Sequence, residues 1–265
     1  MAGMADYTFR SRDDGEWAVT AIAADGTVVG WASLRSWTED DGVHVYLADG
    51  HVRPADRRFG LGGALLDRAE AAAAELASAR GQTGTLVLGG NATEGDDGRH
   101  ALLTGRGYRR VFTVVWMERD FVPVPRKLLP DEIAVRTATL GDAAALRRLA
   151  ERAWAGRPFV SLPSEGRLRD WLRRSDLSSF HCAMAGDRLV GFIAVTGDEV
   201  EDLQVDPEFQ RRGIAAALLA LALAGIGGPA RLRTEAHDPA GARTLYERFG
   251  FRVTEQQHRY RKQLR

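Results

Sequence analysis

A sixteen-residue stretch occurs twice in this chain, and that duplication limits the fold more than any other feature of the sequence. HVRPADRRFGLGGALL, from His51 to Leu66, lies over QVDPEFQRRGIAAALL, from Gln204 to Leu219, without a gap. Val52 meets Val205, Pro54 meets Pro207, Arg58 meets Arg211, Gly60 meets Gly213, and the Leu-Leu pairs coincide. A second match follows in the same order: RHALLTGRGYRRV, ending at Val111, covers ARTLYERFGFRV, ending at Val253, with Gly107-Tyr108 on Gly250-Phe251. Two ordered matches predict one folding unit used twice. Between the halves lies Phe121 to Glu132, where Pro123, Pro125 and Pro130 lack backbone donors and resist both helix and central strand. The expected division is therefore 1–122 and 131–265.

Length and charge agree with two modest cores. The chain has 265 residues, and its 36 basic and 36 acidic side chains cancel. That balance removes the charge excess of a general nucleic-acid or anionic-membrane binder. Cys182 is the single cysteine, so no intrachain disulfide and no cysteine-based zinc site is expected, and no metal is assigned. Such usage suits a reducing compartment. MAGMADYTFRSRDDGEW shows no basic segment followed by an apolar core, which makes the cytoplasm the expected location. Ile214 to Ile226, the longest apolar run, is shorter than the roughly 20 residues of a membrane span and is expected to be a buried helix. Monomer and homodimer both stay open.

Periodicity predicts an α/β (α+β, mixed-sheet) fold for each half. In the C-terminal half, strands are expected at Ile133 to Thr137, Phe180 to Ala185, Leu189 to Thr196, Glu199 to Val205 and Ala230 to Ala236, with terminal strands to about Arg261. Helices are expected at Asp142 to Ala155, Glu165 to Arg174, Gly213 to Ala224 and Ala240 to Phe249. The N-terminal half follows the same path with strands at Tyr7 to Arg10, Trp17 to Ala24, Val28 to Leu34, Val43 to Val52 and Thr85 to Leu88. A helix from Leu61 to about Ala79, another near His100 and a last strand to Met117 complete it. Too few residues separate its first two strands for a helix pair. GGNATEGDDG, Gly89 to Gly98, reads as a mobile loop.

The chemistry is carried by a strand ending at Val205, a Pro-containing turn, and Gln210-Arg211-Arg212-Gly213-Ile214-Ala215 opening a helix. Unpaired amides at a helix start, at the positive end of its dipole, suit a diphosphate. Gly213 and the small Ala215 let phosphate oxygens approach the main chain, and Arg211 and Arg212 add positive charge.

This arrangement resembles the GNAT superfamily of N-acetyltransferases, whose acyl-CoA signature is Q/R-x-x-G-x-G/A after a strand. The resemblance covers most of the chain, once per half, and in the N-terminal half the signature reads Arg57-Arg58-Phe59-Gly60-Leu61-Gly62. A downstream family segment, N-x-x-(x)-A-x-x-L-Y-E-x-x-G-F, is matched from Asp238 to Phe251, with Asp238 where the family usually has Asn. The resemblance implies two tandem GNAT-like domains, the first lacking the helix pair. It implies acetyl-CoA as cosubstrate, held by Leu203, Gln204, Val205, Gln210 to Ala215 and Asp238, and in the first half by Val52, Arg57, Arg58, Gly60 and Gly62. Its reaction is direct attack of an amine on the thioester. An alkyl amine has a pKa near ~10, so a base must take its proton.

Glu201 is the candidate for that base, and Asp202 beside it is a candidate for catalysis or for facing the acceptor; strand alternation puts Glu201, Leu203 and Val205 on one face and Asp202 and Gln204 on the other, unless a bulge intervenes. Tyr246 occupies the family's general-acid position. Main chain near Val205 is the family's oxyanion donor. The acidic pair points to a small amine as partner. Each assignment has a structural alternative: Glu201 and Asp202 as edge-strand charges, Tyr246 as a core aromatic, Trp154, Phe159 and Trp171 as core rather than cleft. His237 reads as a strand end and Cys182 as inert core. In the first half Leu103 replaces Tyr246 and Ala48, beside Asp49, replaces Glu201. The first half is thus expected to bind acyl-CoA at most, with the chemistry in the second. A non-catalytic acyl-CoA-binding module, or an acetylase of a protein N-terminus or lysine, are the other functions this sequence permits.

Overall fold

The computed structural model of the chain describes residues 7–13, 17–124, 127–237 and 241–264. The chain forms two compact units, one comprising Met1–Thr113 and Gln257–Arg265, the other Val114–Gln256.

In the first unit, strands β1 (Thr8–Asp13), β2 (Trp17–Ile22), β3 (Val28–Thr38) and β4 (His44–Val52) form an antiparallel meander. Helix α1 (Leu61–Ala79) crosses over to β5 (Leu86–Thr93), which runs parallel to β4. Helix α2 (Asp97–Gly105) then leads into β6 (Arg109–Arg119). Three residues separate β1 from β2, so no helix pair intervenes. The second unit repeats the plan with that pair added. β7 (Ile133–Thr137) is followed by α3 (Ala143–Ala153) and α4 (Glu165–Arg174), then β8 (His181–Ala185), β9 (Arg188–Thr196) and β10 (Glu199–Val205). Helix α5 (Ile214–Ile226) crosses to the parallel strand β11 (Ala230–Glu235), and α6 (Ala242–Arg248) precedes β12 (Arg252–Gln263).

The units are not the contiguous halves expected from the repeat. The Val114 to Arg119 part of β6 pairs antiparallel with β11, and the Gln257 to Gln263 part of β12 pairs antiparallel with β5. Each half of the sequence thus supplies the last strand of the other unit's sheet. Ladder hydrogen bonds are made by main chain, so the repeat identifies a strand without fixing which edge accepts it. The terminal strands expected near Arg261 are one continuous strand.

The first unit packs α1 residues Leu66, Ala69, Ala72 and Ala73 against Tyr46, Ala48, Leu88 and Leu103. In the second, α5 residues Ile214, Leu218, Leu219 and Leu223 cover Ile193, Val195, Val200 and Leu232 on one face of the sheet. Leu146 and Leu149 of α3 and Leu168 and Leu172 of α4 cover Phe180, Cys182, Phe192 and Ala194 on the other. Apolar residues nearly all round α5 explain its reading as a buried helix. Gly227, left-handed at φ 62°, ends it.

A further expectation is overturned. Gly89 to Gly98 is no mobile loop: Gly89 to Thr93 extends β5, and α2 starts at Asp97 with Asp96 as its cap, accepting from the Arg99 amide at 3.0 Å. A Cβ on Gly90 would lie 2.6 Å from Leu103 Cδ2, so a glycine here marks close approach of α2 to a strand rather than a turn.

Candidate functional site

The duplicated signature folds into the same loop twice. Arg58 and Arg211, at matching positions, are two of the three non-glycine residues with positive φ among those described, at 71° and 63°. Gly60 and Gly213 both stand at φ 86°. Left-handed non-glycine backbone costs on the order of 1–3 kcal/mol and persists where its surroundings impose it. Part of the restraint is visible. Arg57 Nε donates to the Val52 carbonyl at 3.0 Å, and Gln210 Nε2 donates to the Val205 carbonyl at 3.1 Å. The Q/R position therefore ties the loop back to the strand end. Gly213, Arg211 and Arg212 are exposed, while Ile214 is buried and anchors the helix start. A Cβ on Gly213 would meet nothing within 4 Å, which leaves the amides at the head of α5 open to an incoming group. Arg212 donates to the Glu208 carbonyl at 3.0 Å, with its guanidinium 5.0 Å from the Phe209 ring. Gly62 and Ala215, the small last positions of the two signatures, are part-buried on α1 and α5.

Asp206 supports the second loop, and the sequence reading missed it. Its fully buried carboxylate accepts from Arg152 Nε at 2.5 Å, Arg188 Nη2 at 2.8 Å and the Glu208 amide at 3.2 Å. Burial raises its pKa, but the two guanidinium hydrogen bonds outweigh that and hold the carboxyl below its ordinary value. An Asp-Pro pair after a strand was a legible turn signal; arginines from α3 and β9 were not. A depressed carboxylate pKa contributes stability that is present above the unfolded value and lost as pH falls through the folded one. Asp206→Ala is expected to cost on the order of 2–4 kcal/mol at pH 7, because two guanidinium groups lose their shared counter-ion. Urea unfolding at pH 7 and at pH 3 checks this, with a smaller difference between variant and parent at pH 3.

The strand before the loop is bulged. Val200 pairs with Val195 and Asp202 with Ala194, leaving Glu201 as the extra residue. Simple alternation is thereby broken: Val200 joins Val205 and the part-buried Leu203 on the α5 face, while Asp202 and Gln204 sit opposite Ala194 and Phe192 on the α3–α4 face. Glu201 is exposed at the bulge. Asp202 is part-buried, accepts from Gln204 Nε2 at 2.7 Å, and has its pKa raised from 3.8 to about 6, by burial first and by the Glu201 charge as well.

Beyond the bulge the parallel ladder stops. β10 and β11 pair at Glu199 with Arg231 and at Val200 with Leu232, then diverge, forming a fork whose carbonyls and amides have no ladder partner across it. Tyr246 on α6 is buried on the α5 face, its ring 5.9 Å from that of Phe251. Tyr246 and Asp202 thus belong to opposite faces of the sheet. Glu235, at the end of β11, is held by Arg157 Nη2 at 2.8 Å, and that guanidinium lies 4.6 Å from the Trp154 ring. Trp171 is part-buried and packs against Phe180 and Phe192. His237 is exposed, and Asp238 lies outside the described residues. Cys182 is fully buried, its thiol pushed up to about 11 by burial. In the first unit Ala48 and Leu103 are buried apolar residues, and β4 pairs with β3 from His44 to Val52 without a bulge.

Comparison with known proteins follows the same division. An acetyltransferase (GNAT) domain model matches residues 161–265, and an acetyltransferase (GNAT) family model matches residues 2–87. A mycothiol acetyltransferase of Geodermatophilus obscurus is 32% identical over 260 residues, covering 88% of this chain and 78% of the relative. One from Mycobacterium leprae is 30% identical over 251 residues, covering 84% and 76%. Among solved structures, a GCN5-related N-acetyltransferase from Sphaerobacter thermophilus superposes with a TM-score of 0.76 at 24% identity, covering 96% of this chain and 82% of that one. A tandem GNAT protein from the clavulanic acid biosynthesis pathway gives 0.67 at 15% identity, covering 100% and 85%. Among the described residues no helix is long and apolar enough to cross a membrane. With the signature loop folded twice and family models matched in both halves, the chain belongs to the GNAT superfamily, as an acyl-CoA-dependent N-acetyltransferase with two GNAT units in tandem.

Proposed function

We propose that the second unit transfers the acetyl group of acetyl-CoA directly to a primary amine of a small molecule. The observation that carries this is the bulged β10, which sets Asp202 beside the fork with a pKa of about 6. The diphosphate lies on the amides at the head of α5, and the pantetheine arm enters the fork. Asp202, ionised at neutral pH, takes the amine proton from the α3–α4 side, and Glu201 draws the cationic acceptor in. Main-chain amide near Val205 steadies the oxyanion. Tyr246 gives its proton to the departing thiolate from the opposite face. The acceptor is a small cationic amine, and the relatives' name makes the amine that a mycothiol acetyltransferase acetylates the first candidate. A buried cysteine as the single thiol suits the cytoplasm as location.

An acceptor screen tests this: thiol release from acetyl-CoA is followed with that amine, polyamines, neutral and anionic amines, and peptides with free N-termini. Turnover confined to peptides, or to neutral or anionic amines, defeats the small-cation assignment, and no turnover at all favours a binding module. A pH profile tests the base. kcat/KM is expected to fall below pH about 6 as Asp202 protonates, and Asp202→Asn should remove that limb along with at least about 10²-fold of the rate. The same variant should be more stable than the parent at pH 8. A carboxyl whose folded pKa lies above its unfolded one penalises the fold once pH exceeds both values, and asparagine carries no such charge. A parent-like pH limb in Asp202→Asn would show that another group is the base.

A further inference from the structure

The first unit has a fork of its own, and it is filled. β4 and β5 pair from His44 with Leu86 to Ala48 with Gly90, and there the parallel ladder ends. At that point Arg99, part-buried on α2, reaches in: its Nε donates to the Asn91 carbonyl of β5 at 3.1 Å and its Nη2 to the Ala48 carbonyl of β4 at 3.3 Å. One guanidinium thus bridges the last paired residue of one strand and the first unpaired residue of the other. Four residues on, and so on the same face of the helix, Leu103 is fully buried with its Cδ atoms packed on Gly90. In the second unit the match that sets Gly107-Tyr108 on Gly250-Phe251 puts Ala242 at the place of Arg99 and Tyr246 at that of Leu103.

We propose that Arg99 closes the first unit's fork from within, so that acetyl-CoA is taken by the second unit alone. Carbonyls freed where a ladder stops need donors. In the first unit the guanidinium supplies them permanently. In the second unit a methyl side chain stands in its place, and the amide groups of a pantetheine arm are the donors that reach those carbonyls. An arm entering the first fork must expel a charged group from two acceptors and take over its volume, while gaining no more hydrogen bonds than it breaks. Both signature loops keep the same backbone conformation, so the loop does not distinguish the units; the side chain at the fork does. The inference rests on the proposed placement of the cosubstrate in the second fork.

Calorimetry with acetyl-CoA on the full chain tests it by counting sites. The wild type should bind one equivalent, Gly213→Val none, and Arg99→Ala with Gly213→Val one, now in the first unit and without turnover. Two sites in the wild type, or one site surviving in Gly213→Val, overturns the proposal. So does a folded double variant that binds nothing. The wild-type and Gly213→Val counts involve no change at Arg99 and keep the proposal falsifiable where the double variant fails to fold. Failure of the proposed activity is separable: a wild type that turns over no amine yet binds one equivalent defeats that activity and leaves the site count standing.

Discussion

Gly213→Val is expected to abolish turnover, with acetyl-CoA binding at the second unit lost at the same time. Two effects act together. At φ 86° a β-branched residue is strained by on the order of 1–3 kcal/mol, and its side chain occupies the space over the head of α5 that is open in the parent. Gly60 provides a matched control, because it has the same φ of 86° at the same place in the other signature. Gly60→Val should show a similar loss of stability by urea unfolding, since the backbone strain is the same, but should keep near-parental turnover. Thiol release measured on both variants, after circular dichroism has shown each to be folded, separates strain from function. A dead Gly60→Val with an active Gly213→Val would place the chemistry in the first unit and reverse the assignment.

Tyr246→Phe is expected to lower kcat by roughly 10²-fold or more, with acetyl-CoA affinity and folding kept. The ring packs in the cluster formed with Phe249 and Phe251, and phenylalanine retains those contacts. The hydroxyl is the group withdrawn. Leu103 at the matching place in the first unit is a fully buried apolar side chain, so this corner of the fold is expected to accept phenylalanine. Measurement requires conditions in which the chemical step limits the rate. Single-turnover acetyl transfer at saturating acetyl-CoA meets that need, and a parental rate there removes Tyr246 from the mechanism.

The sequence by itself determined the elements and their order. Hydrophobic period and turn residues placed α1, α3, α4, α5 and most strands, because those signals are local and each element's buried face is written into consecutive residues. It also located both signature loops, since the same string with its glycine recurs at the same distance from a strand end. The extent of β5 escaped because Gly89 and Gly90 carry a tertiary constraint, the approach of Leu47 and Leu103, in residues that locally signal a turn. The tertiary structure alone decided four things. It set the exchange of final strands, which depends on main-chain pairing that any β sequence can offer. It set the bulge at Glu201, which separates Glu201 from the alternation expected of it and lets Val200 and Val205 share a face. It brought Arg152 and Arg188 to Asp206, across sequence distances no local pattern spans. And it carried Arg99 from α2 into the fork between β4 and β5, where its reach and its two carbonyl acceptors exist only once helix and sheet have packed.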